Sequence, residues 1–266
     1  MPTALVETQV RESLRRSPRQ FGLTRSRWWL AGIRHALPAL AKLSLVALWR
    51  WLQRWGIHYK RGRQSLHSPD PDYDLKLAYI QAALAQAQRM PEAVVVLYMD
   101  ELSYYRRPSL ARAYAPSGHH QFSAPTGHSP NRARRVAACL NALTAATLTW
   151  QRTSFKVATL RRFYQAVARH YPLAQRIYII ADNWPPHFHP DLLLALQSSR
   201  ITLLRLPTYA PWTNPVEKLW LRLKQDVLHL HPYADDWLAL QAAVQTWLDQ
   251  WQLPNPDLLR FVGLSP

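Results

Sequence analysis

The stretch that decides the fold is AVVVLYMDE, Ala93–Glu101. Seven apolar or aromatic residues run without a break into two acids, Asp100 and Glu101. A run this short and this rich in β-branched side chains reads as a strand buried on both faces. A second run of the same build, RIYIIADN (Arg176–Asn183), also ends in an acid, Asp182. ITLLRLP (Ile201–Pro207) is a third strand, and RVAACLNALTAATLTWQRT (Arg135–Thr153) holds two more, joined near Asn141 to Ala145. Helical spacing marks the segments between and around them: LKLAYIQAALAQAQRM, VATLRRFYQAVARHY, PDLLLALQSS, NPVEKLWLRLKQDVLHL and a last amphipathic stretch, WLALQAAVQTWLDQWQL. Strands and helices mixed in this order predict an α/β layered fold around a central mixed sheet.

Three acids then stand out. Asp100 and Asp182 are expected to end neighbouring strands, and Glu217 opens the helix after YAPWTNP. Strand ends and a following helix start can converge on one edge of a sheet, where α/β proteins place their sites. Carboxylates gathered there repel one another unless a cation lies among them, and hard oxygen ligands suit Mg²⁺ or Mn²⁺. Two such ions, about 4 Å apart, would stabilise the attacking and leaving oxygens of a phosphoryl displacement. Each acid also has a plainer reading. Asp100 and Asp182 could bond local amides. Asn214 could cap the helix, with Pro215 at its first position and Glu217 reaching back to close a capping box. Against the cap, Val216, Leu219, Trp220, Leu223 and Val227 share one helix face, while Glu217 and Lys224 share another, exposed one.

The remainder of the chain points to an acidic partner. It has 266 residues with a formal charge of +17, and residues 1–63 hold 13 Lys and Arg against 2 Asp and Glu. RSRWWLAGIRHAL reads as one helix ending at Pro38. LAKLSLVALWRWLQRWG contains another, capped by Ser44 and stopped by Gly56. IHYKRGR follows, with Lys60, Arg61 and Arg63. Helix, turn, helix and basic hairpin is the order of a winged helix-turn-helix. A helical hairpin with a solvated basic edge fits the pattern as well, and the charge favours DNA. HSPDPDYD (His67–Asp74) is polar and proline-rich, a linker or helix entry. One cysteine, Cys139, excludes an internal disulfide framework and a CxxC zinc site, and suggests a reducing, intracellular setting. The most apolar window contains Pro38, Lys42 and Arg50, too interrupted for a membrane span.

VVVLYMDE, IIADNWPPHFHP and YAPWTNPVEKLW, in that order and with 34 residues between Asp182 and Glu217, resemble the three signature blocks of DDE transposases. More narrowly they resemble the bacterial insertion-sequence branch of the mariner superfamily. SPRQFGLTRSRW, VALWRWLQRWGIHYKRGR and HSPDPDY extend the likeness over nearly the whole chain.

The resemblance implies an RNase H-like fold, a five-stranded mixed sheet flanked by helices, preceded by a small winged helix-turn-helix. The implied domains are residues 1–66 for the DNA-binding module, 67–92 for a connector and helix, and 93–266 for the catalytic domain. It implies a transposase that uses two Mg²⁺ (or Mn²⁺) ions to cleave DNA at transposon ends and transfer the strand into target DNA. Asp100, Asp182 and Glu217 become the catalytic metal ligands, with Glu101 and Asn183 supporting them from behind. Exposed turn residues are the alternative for those two. Arg50, Arg54, Lys60, Arg61 and Arg63 become the helix-turn-helix contacts to DNA, and Lys224 a phosphate contact or a solvated lysine. Arg106, Arg107, Arg132, Arg134 and Arg135 could line the DNA path or be solvated. His187 and His189 form an HxH pair near Asp182, read as positioning or packing rather than zinc binding.

Further expectations follow from the resemblance: double-stranded DNA as partner, a homodimer pairing two ends, no membrane, and a cytoplasmic, nucleoid-associated location. Relatives carry a further helix-turn-helix before the segment starting near Ser17, so the likeness implies a copy lacking that module. Two other readings remain: an inactive or repurposed DNA-binding copy, and a different RNase H-like nuclease acting on branched DNA.

Overall fold

The computed structural model describes residues 4–60, 68–116 and 123–264. The chain divides into two compact units, Met1–Ser65 and Leu66–Pro266.

The first unit contains α1 (Ala4–Leu14), α2 (Leu30–Ala36) and α3 (Leu45–Arg54) around a small core of Val10, Ile33, Leu40, Leu48 and Leu52. The Ser44 hydroxyl caps α3 by accepting from the Ala47 N–H at 3.1 Å. Gly56 ends it in a left-handed conformation (φ 68°). The Ile57 N–H returns to Leu52 O (2.8 Å) and the Gly56 N–H to Gln53 O (3.0 Å), closing a Schellman turn. α2 is shorter than the sequence suggests. Trp29 is extended and its indole lies over Gly32, where an added Cβ would come within 2.7 Å of the ring, so the helix begins only at Leu30. α1, which the charge-interrupted start hid, packs Val10 into the core. Ile57–Lys60 carry no regular structure, and Arg61, Arg63 and the rest of the expected hairpin lie outside the described residues.

The second unit is built on five strands, β1 (Val94–Tyr105), β2 (Ala133–Asn141), β3 (Thr147–Arg152), β4 (Arg176–Ala181) and β5 (Ile201–Arg205). Their spatial order is β3-β2-β1-β4-β5. β1 runs antiparallel to β2 and parallel to β4, so the sheet is mixed, as expected. Both faces are covered. Val94, Val96 and Tyr98 pack into the core that takes in α4 (Tyr73–Arg89), α7 (Val216–Leu223), α8 (Trp237–Asp249) and α9 (Pro256–Val262). Val95, Leu97 and Met99 pack on the other side, against α5 (Val157–His170) and α6 (Pro190–Leu196). Two buried faces explain why the opening run shows no polar alternation.

Two boundaries differ from expectation. β1 does not end at Asp100: its pairing with β4 stops at Tyr98↔Ile180, while its pairing with β2 continues to Tyr105↔Ala133. The helix opened by Glu217 gives way to a π turn at Lys224–Leu228. α9 was not anticipated, although Asn255 caps it and Pro256 stands at its start. Among the described residues no helix is long and apolar enough to cross a membrane.

Candidate active site

Asp100 lies where β1 outruns its parallel neighbour. Continuing the Tyr98↔Ile180 register by two residues sets Asp100 beside Asp182, the first residue after β4. The period-two alternation of a strand keeps Asp100 on the face of Tyr98, toward α7. Across that gap comes Glu217, in the first turn of α7. All three carboxylates line one cleft of about 300 Å³.

Each is positioned by a different device. The Trp220 indole N–H, itself buried, donates to Asp100 Oδ2 at 3.0 Å. The Trp184 backbone N–H donates to Asp182 Oδ1 at 3.0 Å, turning the chain sharply after β4. Glu217 is placed by the helix start. Asn214 Oδ1 accepts from the Val216 N–H (3.2 Å), and its Nδ2 reaches Met99 O on β1 (3.5 Å). The capping-box alternative for Glu217 is not realised, because the Asn214 N–H it would need donates to Pro211 O at 3.0 Å.

The electrostatics follow. Burial pushes the Asp100 carboxyl up to about 8, with the Glu217 and Glu101 carboxylates and then Asp182 adding to the rise. Acids drawn together this way form an anionic site with room for a cation. No three His, Cys, Asp or Glu side chains among the described residues stand close enough to enclose one ion by themselves.

Glu101 sits behind the cleft, since its side chain points to the opposite face of β1 from Asp100. Its Oε2 is 3.3 Å from His187 Nε2, and its Oε1 is buried without a partner. His187 is fully buried, 3.7 Å from Asp182 Oδ1 through the same Nε2, and its Nδ1 is 2.9 Å from the Tyr164 hydroxyl. Two carboxylates at Nε2 require the proton there. In the neutral ring Nδ1 then accepts from Tyr164, whose phenol burial holds in its protonated form. His189 is separate: it is exposed, and its Nδ1 accepts from the Asp191 N–H at the start of α6 (3.3 Å). The HxH spacing therefore does not make a metal pair. Asn183 lines the cleft and ties it to the loop after β5, donating to Leu206 O (2.9 Å) and Thr208 Oγ1 (3.2 Å).

Among the basic residues, Arg50, Arg54 and Lys60 are exposed and Lys224 is half-buried. Arg106 is buried and donates to Ala234 O (2.8 Å) and Asp235 O (3.1 Å), so it braces a loop instead of facing a DNA path. Arg107 and Arg132 are exposed, Arg134 and Arg135 half-buried. Sequence reasoning missed Trp220 and Asn214. Both looked like helix packing and capping, and only the fold shows them reaching Asp100 and Met99.

A family model described as DDE superfamily endonuclease matches residues 95–239. A curated relative, the "Insertion element IS630 uncharacterized 39 kDa protein" of Shigella sonnei, is 27% identical over 237 residues, covering 88% of this chain and 68% of the relative. Among solved structures, the Mos1 transposase paired-end complex with left transposon end superposes with a TM-score of 0.64 at 16% identity, covering 99% of this chain and 76% of that one. The Mos1 mariner paired end complex with Mn gives 0.65 at 16%, covering 99% and 75%. At such identities the structural likeness speaks to the fold, and it agrees with the RNase H-like architecture expected from the sequence. The family match spans more than half of the chain and contains Asp100, Asp182 and Glu217, and on that ground the chain belongs to the DDE superfamily endonucleases.

Proposed function

We propose that this endonuclease is a DNA transposase, which cuts at the ends of a mobile element and joins the freed 3′-hydroxyl to target DNA. Asp100, Asp182 and Glu217 are its catalytic carboxylates. The observation that carries this reading is the convergence of Asp100, Asp182 and Glu217 on one cleft, where burial and the neighbouring acids oppose the charge of Asp100. Such a site is electrostatically incomplete without a cation. The donor set consists of hard carboxylate oxygens and fits Mg²⁺ or Mn²⁺, two ions in our reading. When bound, the ions supply charge neutralisation at the attacking and leaving oxygens of an in-line phosphoryl displacement.

The chain's own residues supply position. Trp220 fixes the Asp100 oxygen it bonds, the Trp184 N–H fixes Asp182, and the Asn214 bonds to Val216 and Met99 hold the start of α7 against β1. His187 supports Asp182 and Glu101 from the rear. Arg50, Arg54 and Lys60, with Arg61 and Arg63, contact phosphates through the basic N-terminal module, taken as residues 1–66, and Lys224 contacts a further phosphate. Residues 67–92 connect that module to a catalytic domain over 93–266. Pairing two ends calls for a homodimer.

The alternative is a non-catalytic, DNA-occupying copy, in which the basic N-terminal module binds while the carboxylates do no chemistry. One assay separates the two: Mg²⁺- or Mn²⁺-dependent cleavage of a duplex carrying the element's own terminal repeats. Wild type should cut, while Asp182→Asn and Glu217→Gln bind without cutting. Undiminished cleavage by either variant sinks the assigned triad, and binding without cleavage by wild type selects the non-catalytic copy.

A further inference from the structure

Tyr209 stands at the mouth of the cleft in a conformation that costs free energy and brings it no burial. Its φ is 54°, in the left-handed region that a bulky aromatic residue avoids, yet the residue is 74% exposed. The backbone on either side explains how the strain persists. Before it, the Thr208 N–H donates to Asp70 at 2.6 Å, Ser68 Oγ donates to Thr208 O at 2.5 Å, and Asn183 Nδ2 holds Thr208 Oγ1 at 3.2 Å. Asp70 is itself buried and paired with Lys76 at 2.6 Å. After it, the N–H and the hydroxyl of Thr213 both donate to Ala210 O, at 3.0 and 2.7 Å, and Ala210 is buried. Strain over-determined by its surroundings, with a ring held out in water, belongs to ligand clamps more than to packing.

The neighbourhood names the ligand class. Tyr209 lines the same cleft as Asp100, Asp182 and Glu217, and half-buried Trp184 lines it as well. A DNA strand whose phosphate is held at the carboxylate site by the cations that site would bind has bases within reach beside it. An uncharged aromatic face can take a base where a carboxylate would repel the backbone. We infer that Tyr209 is a nucleobase-stacking platform, which receives a base, unstacked from its duplex, next to the phosphate being processed. This rests on the DNA-transposase reading above, and the ligand chemistry is the π-face of a base, which is tolerant of sequence.

The test uses the full chain with Ca²⁺ in place of Mg²⁺. 2-Aminopurine is placed beside the cleavage point of a terminal-repeat duplex, then in an unrelated duplex offered as target. Tyr209→Gly removes the ring and suits the left-handed backbone, and Tyr209→Phe keeps the ring. Wild type and Tyr209→Phe should quench the label on binding. Tyr209→Gly should lose the quench and bind about 5- to 100-fold more weakly while melting no lower than wild type. Quenching in the first duplex places the base at the cleaved end, and in the second at the target. If Tyr209→Gly quenches as wild type does in both, the platform does not exist. If it loses binding and also melts lower, the ring is a packing element and the inference fails. Wild-type cleavage in Mg²⁺ alongside either failure leaves the transposase reading standing, whereas its absence strikes that reading instead.

Discussion

Asp100→Asn should make the metal-free protein more stable. The carboxyl titrates near 8 in the fold against 3.8 in an unfolded chain. Between those values the folded chain keeps a proton that the unfolded chain gives up, so stability falls as pH rises through the window and is flat outside it. Each pH unit inside the window costs about 1.4 kcal/mol. About three units have been crossed at pH 7, for a ceiling of about 4 kcal/mol, which water at the cleft mouth reduces to about 2–4 kcal/mol. Asparagine carries no charge and still offers an oxygen to the Trp220 indole N–H. For a unit of this size the gain corresponds to about 5–15 °C in melting temperature. The assay is thermal unfolding followed by circular dichroism in EDTA, at pH 7 and pH 5. The gap should narrow to about 1–2 kcal/mol at pH 5, and Mn²⁺ should close it at pH 7 by stabilising wild type alone. A variant that melts at or below wild type at pH 7, or a gap unchanged at pH 5, would refute the loading of Asp100 by its surroundings.

Trp220→Phe keeps a ring in the core but removes the donor to Asp100, and should destabilise by about 1–3 kcal/mol in denaturant melts. His187→Leu and Tyr164→Phe should lower the single-turnover cleavage rate, the former by about 10- to 100-fold, with recovery in His187→Gln, which still offers an N–H to the two carboxylates. Lys76, then the Thr208 N–H, holds the Asp70 carboxyl well below its ordinary range, so its contribution is present above pH 3.8 and lost as pH falls further. Asp70→Asn should therefore lose stability at neutral pH and converge with wild type in acid unfolding curves. Replacing Arg50, Arg54 and Lys60 together by Ala should flatten the salt dependence of DNA binding, read by fluorescence anisotropy. The log–log slope should fall by about 0.9 for each phosphate that the variant no longer neutralises.

Short-range physics was legible in the residues alone. The unbroken apolar runs before Asp100 and Asp182 read as buried strands, because they are short, rich in β-branched side chains and carry no polar face. Ser44 and Gly56 bounded α3 through bonds that span only a few residues. The acids themselves were also visible, since they interrupt apolar runs in a chain short of acids. Whatever depends on pairing between distant segments had to wait for the folded chain. The sequence alone puts Asp100 at a strand end, yet it lies mid-strand, because β2 continues to pair where β4 has stopped. Glu217 could have closed a capping box, and only the use of the Asn214 N–H by Pro211 frees it to face the cleft. Trp220 belongs to an apolar helix stripe in any local reading, and becomes the partner of Asp100 only when α7 lies on β1. His187 and His189 looked like a pair, yet one is sealed behind the carboxylates and the other caps a helix. Periodicity and capping act within a few residues, whereas register, burial and the field at a carboxyl are set by chain brought together from far apart.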